Sequence, residues 1–389
     1  MSKENSKIFH VMTIFGTRPE AIKLAPLIGK LSSEPRLNHS TLVTGQHDQL
    51  LDEVLNIFAI KPDYNLKIMR KATSLGSLYS VLLKEISEIL TAKKPDLVIV
   101  HGDTATTFAA SMAAYLNQIP VAHIEAGLRT GDLYSPWPEE GNRQLVSKIT
   151  KLHFAPTNLA RQNLISESIL KENILVTGNT VIDALFQTMD HIKNNENIQN
   201  SCDLKFEFLS KSKKTILMTG HRRENFGSGF ENTFKAIRQI ITSRNDIELV
   251  YPVHLNPNVK SQVNDILSGT DCVHLIEPLD YLSFVHLMQK SHIIITDSGG
   301  IQEEAPSLGK PILVTRNTTE RPEAIDAGVA TLVGNDGTKL KKTLSRLLDD
   351  QKAYDQVALT QNPFGDGKAS DRIVTGCLNY LISGGLRDA

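Results

Sequence analysis

Acidic residues gather at the ends of apolar, β-rich runs in the first half of the chain. Asp103 lies in His-Gly-Asp-Thr, Glu125 in His-Ile-Glu-Ala-Gly, and Glu139 in the loop Tyr134–Arg143. Carboxylates at successive strand ends of one sheet can converge on one point, which proton-transfer chemistry requires. The simpler alternative for Asp103 is a helix N-cap, because Thr104 begins a helical pattern. Taken together, the three acids favour general acid–base catalysis on a bound substrate.

The first apolar run is followed by a cationic loop, Gly16–Lys23. Gly16 allows a tight turn, and Pro19 suits a first helical position. The start of a helix leaves backbone N–H groups for an anion, and Arg18 and Lys23 add positive charge there. The segment predicts an anionic ligand, with an ordinary turn and a solvated arginine as the alternative.

A glycine-rich turn, Thr296–Gly300, ends a run in the second half and precedes a helical pattern. Gly299 and Gly300 let a phosphate approach the backbone, Ser298 can donate a hydrogen bond, and the helix dipole favours an anion. Carboxylates after the glycines would repel phosphate, so one of them is expected to bind ribose hydroxyls. The segment lacks the P-loop and G-x-G-x-x-G patterns. It predicts a nucleotide phosphate in preference to a structural turn.

A further cationic loop, Gly220–Asn225, contains His221, Arg222 and Arg223. Adjacent cationic side chains repel one another unless an anion or an acid lies near. A solvated loop paired with Glu224 is the alternative, but the position after an apolar run favours an anionic ligand.

Two histidines precede acids by two residues, which raises the question of a metal. His101 and Asp103 share one strand face, as do His123 and Glu125. The chain has no H-E-x-x-H pattern and no third ligand at a diagnostic spacing. We therefore predict no metal site.

Short apolar runs that alternate with helical patterns must position these loops. They are Phe9–Phe15, Thr41–Thr44, Leu97–Val100, Val121–Ile124, Leu152–Ala155, Ile174–Thr177, Ile216–Thr219, Ile247–Val253, Val273–Ile276, Ile293–Thr296, Ile312–Val314 and Ala330–Val333. Strands that are apolar throughout are typical of parallel sheets covered on both faces. The predicted fold class is therefore α/β, with two Rossmann-like, doubly wound domains facing a cleft that receives the carboxyl ends of the strands.

We place the domains at residues 1–185 and 186–368. A C-terminal helix within residues 369–389 is expected to pack back on the first domain. The least apolar segment, His191–Lys214, contains an Asn-rich stretch. It is predicted to cross the surface between the domains as irregular chain.

Composition excludes several classes of protein. The chain has 389 residues, 40% hydrophobic and 22% charged, with a formal net charge of −1. These values argue against a disordered chain, a fibre and a polybasic surface for nucleic acid. The apolar runs are too short for a membrane span and the first residues are polar, so we predict a cytoplasmic protein with no membrane partner. The three cysteines lie far apart, which argues against a disulfide framework and a zinc knuckle.

Together these segments resemble the non-hydrolysing UDP-N-acetylglucosamine 2-epimerases of bacteria and archaea. The matching pieces occur in order through nearly all of the chain: Gly16–Lys23, Thr44–His47, His101–Thr104, His123–Arg129, Gly131–Arg143, Thr177–Ala184, Gly220–Asn225, Tyr251–Pro257, Asp297–Pro311 and Thr319–Ala324. The resemblance implies the glycosyltransferase-B architecture, a homodimer and no cofactor. It also implies reversible conversion of UDP-N-acetylglucosamine (UDP-GlcNAc) to UDP-N-acetylmannosamine (UDP-ManNAc). The implied route is elimination of UDP to 2-acetamidoglucal and re-addition, supplying ManNAc for surface polysaccharide.

The same resemblance assigns roles residue by residue. The catalytic roles fall on Asp103, Glu125, Glu139, Lys23 and His221. The substrate contacts fall on Arg18, Arg143, Phe284, Ser298, Gly299, Gly300, Gln302, Glu304 and Arg321. Glu304 is assigned to the ribose and Phe284 to the uracil, although the sequence alone favours core packing for Phe284.

Some bacterial members also carry an adjacent regulatory pocket for a second UDP-GlcNAc. The positions that match it are Gln46, Gln49, Glu139, Arg222 and His254. The pattern departs at Ala72, where regulated members can have arginine. Activation by substrate is therefore a weaker expectation than the activity.

Three other functions stay open from the sequence. A glycosyltransferase would share the architecture and the UDP loops, and a hydrolysing epimerase would release free ManNAc and UDP. A UDP-sugar sensor would bind without turnover. The glycosyltransferase and the sensor have little need for three acids.

Overall fold

The computed structural model of the chain describes residues 7–45, 48–68, 73–220 and 228–384. It divides into two compact units: unit 1 contains residues 1–184 and 364–389, and unit 2 contains residues 185–363. The chain passes from unit 1 to unit 2 inside a helix and returns after Pro363. Each unit is built on its own sheet.

Unit 1 is a parallel sheet with helices on both faces. Its strands are β1 (Phe9–Phe15), β2 (Leu37–Val43), β3 (Tyr64–Asn65), β4 (Leu97–His101), β5 (Val121–Ile124), β6 (Leu152–Ala155) and β7 (Ile174–Val176). Its helices are α1 (Arg18–Ser33), α2 (Asp48–Ile57), α3 (Leu75–Lys93), α4 (Ala105–Leu116), α5 (Glu139–Ile149), α6 (Asn158–Ser166), the start of α7 (Thr180–Asn194) and the last helix (Ala369–Ile382). The strand order is β3-β2-β1-β4-β5-β6-β7. The order reverses between β1 and β4, where such sheets bind ligands.

Alternating side chains of β1 explain why its sequence is mostly apolar. Val11 and Phe15 pack with α1, α2 and the last helix, whereas Met12 and Ile14 pack with α3 and α4. Both faces of the strand are therefore removed from water, which stabilises the sheet by the hydrophobic effect.

Unit 2 repeats this design with a second parallel sheet. Its strands are β8 (Lys214–Thr219), β9 (Ile247–Pro252), β10 (Val273–Ile276), β11 (Ile293–Thr296), β12 (Ile312–Val314) and β13 (Ala330–Leu332). Its helices after α7 are α8 (Glu196–Lys205), α9 (Ser228–Ser243), α10 (Pro257–Leu267), α11 (Tyr281–Lys290), α12 (Gly299–Glu304), α13 (Pro322–Asp326), α14 (Gly337–Asp349) and α15 (Gln351–Ala358). The strand order is β10-β9-β8-β11-β12-β13, with the reversal between β8 and β11. The prediction of an α/β fold with two doubly wound sheets is confirmed.

The last helix of the chain, α16 (Ala369–Ile382), belongs to unit 1. Its apolar side chains, among them Ile373 and Cys377, join the core beside α1. Its first turn is held by Asp183 of α7, which accepts hydrogen bonds from the backbone N–H groups of Ala369 (3.2 Å) and Ser370 (2.8 Å). A carboxylate at a helix N-terminus compensates the positive end of the helix dipole.

The segment His191–Lys214 was predicted as irregular chain, and that prediction is wrong. Helix α7 continues to Asn194, and α8 follows at once. The side chain of Asn195 caps α8 by accepting a hydrogen bond from the Ile198 N–H at 3.2 Å, so the Asn-rich stretch supplies a helix start. Phe206, after α8, is buried and stacks on His286.

The short strand β3 was also missed, because two residues carry no readable pattern. No helix in the described parts of the chain is long and apolar enough to cross a membrane.

Replacing Gly127 with alanine is expected to lower the free energy of unfolding by about 3 kcal/mol. Gly127 has φ +90°, and an added Cβ would lie 2.2 Å from the carbonyl oxygen of Ala160. Gly131 is the matched control, because its φ is +81° but no atom lies within 4 Å of its added Cβ. The Gly131→Ala change should cost only the backbone strain, about 1 kcal/mol. Urea unfolding followed by circular dichroism measures both; equal losses would contradict the steric explanation.

Candidate active site

The loops that follow β1 and β4 meet at the point where the strand order of unit 1 reverses. Gly16, directly after β1, has no room for a side chain: an added Cβ would lie 2.2 Å from Thr44 Oγ1 and 2.4 Å from Thr106 Oγ1. These two hydroxyls share a hydrogen bond of 2.9 Å. The glycine therefore allows the loop before α1 to pack closely on the start of α4.

The buried carboxylate of Glu20 links the two loops. It accepts hydrogen bonds from the backbone N–H groups of Gly16 (3.1 Å) and Thr17 (2.8 Å), and from the Thr104 hydroxyl (2.8 Å). Burial raises the pKa of Glu20. These two N–H groups, which precede α1, are therefore not available to an anion.

The Arg18 guanidinium is the group in this loop that could bind an anion. It is the first residue of α1 and is half-buried. Its Nε atom is buried and has no hydrogen-bond partner within the described residues. A buried, unsatisfied donor costs free energy, which an anionic ligand would recover.

Asp103 follows β4 and is held by an arginine from α5. Its Oδ2 atom lies 2.7 Å from Arg143 Nη2 and accepts a hydrogen bond from Arg143 Nε at 2.9 Å. Arg143 Nη1 donates to Glu140 at 2.9 Å, and the Glu140 side chain is fully buried. Burial raises the pKa of Asp103, and the Arg143 guanidinium opposes that rise. Arg143 therefore forms ion pairs with both Asp103 and Glu140, and it orients Asp103.

Glu139 acts on this group through its charge, which affects Tyr79. Glu139 is the first residue of α5 and is half-buried. Burial, together with the Glu139 charge, raises the pKa of Tyr79, whose hydroxyl donates to Asn142 Oδ1 at 2.9 Å. Asn142 Nδ2 donates in turn to the carbonyl of Asp103 at 2.8 Å. Hydrogen bonds thus link Tyr79 to Asp103, and Glu139 acts on Tyr79 through its charge.

Glu125, directly after β5, has a strained backbone. Its φ is +61°, a left-handed conformation that costs on the order of 1–3 kcal/mol for a residue with a side chain. Its carboxylate forms an ion pair with Lys23 of α1 and accepts a hydrogen bond from Asn179 Nδ2 at 2.8 Å. The His101 ring nitrogen Nε2 lies 3.9 Å from the same oxygen. Strain of this kind concentrates at functional sites.

Three buried histidines lie beneath these acids on neighbouring strands, His101 on β4, His123 on β5 and His153 on β6. His123 Nε2 donates a hydrogen bond to the carbonyl of Gly102 at 2.7 Å, and both ring nitrogens of His101 and His153 lack hydrogen-bond partners in the described structure. Burial lowers their pKa values to about 3 for His101, about 4 for His123 and about 3 for His153. They are therefore neutral near pH 7.

In unit 2 the glycine-rich turn follows β11, as predicted, and it stands at the point where the strand order reverses. The Ser298 N–H donates to Thr296 Oγ1 at 3.0 Å, and that hydroxyl shares a hydrogen bond of 2.7 Å with Thr219 at the end of β8. Ser298 precedes α12 without a side-chain capping bond, and Gly299 and Gly300 form the first turn. A helix start with two glycines offers backbone N–H groups to an anion.

Arg321 lies beside this turn. Its guanidinium carbon is 3.8 Å from the position that a Cβ on Gly299 would take. The buried side chain forms an ion pair with the buried Glu303. Arg321 is therefore held at the glycines with its charge partly compensated.

Gln302 and Glu304 are anchored within unit 2. Gln302 donates to the carbonyl of Ser298 at 3.1 Å and accepts from the Thr319 hydroxyl at 2.7 Å. The Tyr281 hydroxyl donates to Glu304 Oε1 at 2.8 Å. Phe284 follows Tyr281 by one turn of α11 and is half-buried. This exposure does not decide between packing in the core and stacking on a base.

Several predicted site residues lie outside the described residues: Gln46, His221 and Arg222, together with Ala72. The side chain of Gln49, on α2, also lies outside them. His254 is exposed after β9, and its Nδ1 accepts a hydrogen bond from the Asn256 N–H at 3.1 Å. Within the ranges the structure describes, no group of three or more His, Cys, Asp and Glu side chains could hold a metal ion.

The sequence did not single out the groups that hold the predicted acids and cations. They are Glu20, Glu140, Asn179, Tyr281 and Glu303. Only Glu20 had a readable signal, the T-x-x-E capping-box pattern that begins at Thr17. The others act through contacts between residues of distant elements or through burial, which a single sequence does not display.

The chain is similar in sequence and in fold to known proteins. The family model for UDP-N-acetylglucosamine 2-epimerase matches residues 29–377. A UDP-N-acetylglucosamine 2-epimerase from Yersinia pestis is 51% identical over 373 residues, which are 96% of this chain and 99% of the relative. The crystal structure of a Neisseria meningitidis UDP-GlcNAc 2-epimerase bound to UDP-GlcNAc is 49% identical and has a TM-score of 0.89, covering 95% of this chain and 100% of that chain.

A more distant likeness concerns the fold alone. A glycosyltransferase from Rickettsia africae ESF-5 is 14% identical, with a TM-score of 0.63, over 96% of this chain and 99% of that chain. The glycosyltransferase alternative therefore shares architecture with this chain and gains no support for its activity.

The free energy of unfolding is expected to fall as the pH drops from about 6.5 toward 4. The three buried histidines have folded-state pKa values of about 3 to 4. Between those values and the ordinary value near 6.5, the unfolded chain binds protons that the folded chain does not. Each histidine then contributes up to about 1.4 kcal/mol per pH unit, with its stabilisation fully present above pH 6.5. The raised pKa of Glu20 acts in the opposite direction.

Urea unfolding from pH 4.5 to 8 measures this slope. A His153→Leu variant should show a shallower pH dependence, because it removes one of the buried titrating groups. An unchanged slope in this variant would show that His153 does not contribute.

Proposed function

The chain belongs to the UDP-N-acetylglucosamine 2-epimerase family, and we propose that it interconverts UDP-GlcNAc and UDP-ManNAc by inversion at C2 of the sugar. The observation that carries the proposal is the meeting of Asp103 and Glu125 after neighbouring strands. Their charges interact. Burial is the main cause of the raised pKa of Asp103, the nearby charge of Glu125 raises it further, and Arg143 lowers it. Two carboxylates in different environments suit opposite proton-transfer roles.

The proposed reaction is an elimination followed by the reverse addition. A carboxylate takes the proton from C2, and the C2–H electron pair forms a double bond to C1. The bond from C1 to the diphosphate oxygen breaks, and its electron pair leaves with UDP. UDP then adds back to 2-acetamidoglucal while a proton reaches the opposite face of C2. Acids are needed on both faces, and Asp103, Glu125 and Glu139 are the proposed group.

The difficulty of the reaction lies in its first step. No carbonyl is attached to C2, so the proton is not acidic, and the departing diphosphate must carry most of the developing charge. Positive groups at the leaving oxygen stabilise such a transition state. We assign this role to Arg18 with its unsatisfied Nε, to Arg321, and to Lys23 and His221 near the sugar and diphosphate.

Unit 2 is proposed to hold the nucleotide. Ser298, Gly299 and Gly300 at the start of α12 are assigned to the phosphates, supported by the helix dipole and by Arg321 beside Gly299. Glu304 is assigned to the ribose, in an orientation held by Tyr281. Phe284 is assigned to the uracil, and Gln302 supports the turn through Ser298.

Arg143 is proposed to act on the substrate through Asp103. Its guanidinium is buried and donates to Asp103 and Glu140, so its main role is to hold Asp103 in place. The regulatory pocket at Gln46, Gln49, Glu139, Arg222 and His254 stays a proposal from the family resemblance, as does the supply of ManNAc for surface polysaccharide.

We also propose a homodimer, as the family resemblance implies. Large apolar side chains around one surface pocket of unit 1 are exposed, among them Leu133, Tyr134, Trp137 and Leu145. Contiguous exposed apolar surface is typical of protein contacts.

Incubation with UDP-GlcNAc in deuterated water is expected to yield UDP-ManNAc that carries deuterium at C2. Elimination removes the C2 hydrogen, and re-addition introduces one from a solvent-exchanged acid. Proton NMR follows the loss of the C2 signal, and ³¹P NMR follows release of free UDP. Unlabelled product would rule out elimination through a solvent-exchanged acid, free ManNAc with UDP would indicate a hydrolysing enzyme, and binding without turnover would indicate a sensor.

Asp103→Asn and Glu139→Gln are each expected to lower kcat by about two orders of magnitude or more, the usual scale for loss of an acid–base catalyst. Each change removes a titrating group while keeping the shape of the side chain. UDP should still bind, because both changes leave the residues assigned to the diphosphate, the ribose and the uracil in place. Steady-state kinetics and calorimetry with UDP measure the two effects; near-normal kcat in both variants would refute the assignment.

A further inference from the structure

The Glu125 carboxylate receives two donors on a single oxygen. Oε2 accepts from Lys23 Nζ and from Asn179 Nδ2, the latter at 2.8 Å. The side chain of Glu125 is only 8% exposed, so these contacts replace water around a buried charge. One donor is a cation and the other is a neutral amide, and they come from different elements.

The amide of Asn179 has only one orientation that satisfies its contacts. Its Oδ1 accepts from the Val181 N–H at 3.0 Å, at the start of α7, while Nδ2 faces Glu125. Turning the amide over would place an oxygen against the carboxylate and NH₂ against a backbone donor. Both sides of the amide therefore fix which atom reaches Glu125.

The backbone at Asn179 is held equally firmly. Asn179 is 2% exposed, and its N–H donates to the carbonyl of Phe364 at 2.7 Å. A Cβ on Gly178 would lie 3.2 Å from the Cα of Gly365, so the two segments touch through glycines. Asp183, one turn later, holds the start of α16. The donor is thus fixed by chain segments that are far apart in sequence.

Titratable side chains from several elements interact electrostatically with Glu125. They are Lys23 from α1, His101 from β4, Asp103 from the loop after β4, and His123 from β5. The two histidines are neutral near pH 7, since burial lowers their pKa values to about 3 and about 4. Asp103 and Lys23 therefore have opposite electrostatic effects on Glu125, and Asn179 adds a donor without adding a charge.

We infer that Asn179 is a positioning residue for the reaction: it orients the Glu125 carboxylate and stabilises its ionised form. The inference rests on the proposed function, because it gives Asn179 a role only through Glu125. A hydrogen bond donated to a carboxylate favours the charged form, and a fixed donor also limits rotation of the group. Loss of the donor changes how readily Glu125 binds a proton.

Asn179→Asp is the sharpest test. The change keeps Oδ1, which caps α7 at Val181, and replaces the donor with a second carboxylate oxygen next to Glu125. Two carboxylates in contact share a proton, so the profile of kcat/KM against pH should move to higher pH by about one unit or more. At neutral pH we expect kcat to fall at least about tenfold and KM to stay within about twofold.

Asn179→Ser is the second variant. Serine also caps helices, but its side chain is too short to reach Glu125. The pH profile should shift in the same direction by a smaller amount, with a normal melting temperature. If Asn179→Asp fails to fold, this variant decides the question.

Asn117→Asp is the matched control for the added charge. Asn117 follows the C-terminal end of α4, whereas Asp103 precedes the start of that helix. The Asn117 amide donates hydrogen bonds to Ser87 and to the carbonyl of Ala113. We expect its pH profile to equal that of the unmodified protein. A folded Asn179→Asp variant with an unshifted profile would overturn the inference, as would an equal loss of activity in both aspartate variants without a shift. Absence of epimerisation by the unmodified protein would instead overturn the proposed function on which the inference rests.

Discussion

The buried carboxylate of Glu20 collects hydrogen bonds from two loops that belong to different strands. It takes the N–H groups of Gly16 and Thr17 after β1 and the hydroxyls of Thr104 and Thr107 after β4. Because an unsatisfied carboxylate would be costly to bury, these donors and the acid must stay together. The start of α1, which carries Arg18 and Lys23, is thereby fixed relative to the loop that carries Asp103. The remaining geometry of unit 1 is arranged around this connection.

Buried ion pairs also fix the positions of side chains in the site. Lys23 reaches Glu125, Arg143 reaches Asp103 and Glu140, and each pair is mostly removed from water. Burying such ions is expensive, so pairs of this kind are weak evidence for stability and strong constraints on geometry. In unit 2 the buried pair of Arg321 and Glu303 has the same character beside the glycine turn. Both units thus use desolvated ion pairs to hold side chains at the carboxyl ends of their strands.

Backbone conformation contributes as much as side-chain pairing to the placement of the acids. The left-handed backbone of Glu125 turns its side chain toward Lys23 and Asn179 directly after a strand. Gly127, two residues later, permits close contact with the α6 backbone. The three histidines below fill the sheet without adding charge near neutral pH.

The sequence by itself determined the two parallel sheets, the last helix and the strand-end positions of Asp103, Glu125 and the glycine turn. Apolar runs and turn residues are local signals, whereas the strand order and its reversal point came from the tertiary structure. The helices at 191–205 were missed because an asparagine can equally end a loop or cap a helix. Only the tertiary structure decided that Arg143 holds Asp103 and that Asn179 reaches Glu125. Those contacts join residues up to 54 positions apart, and their free energies depend on burial, which no local pattern records.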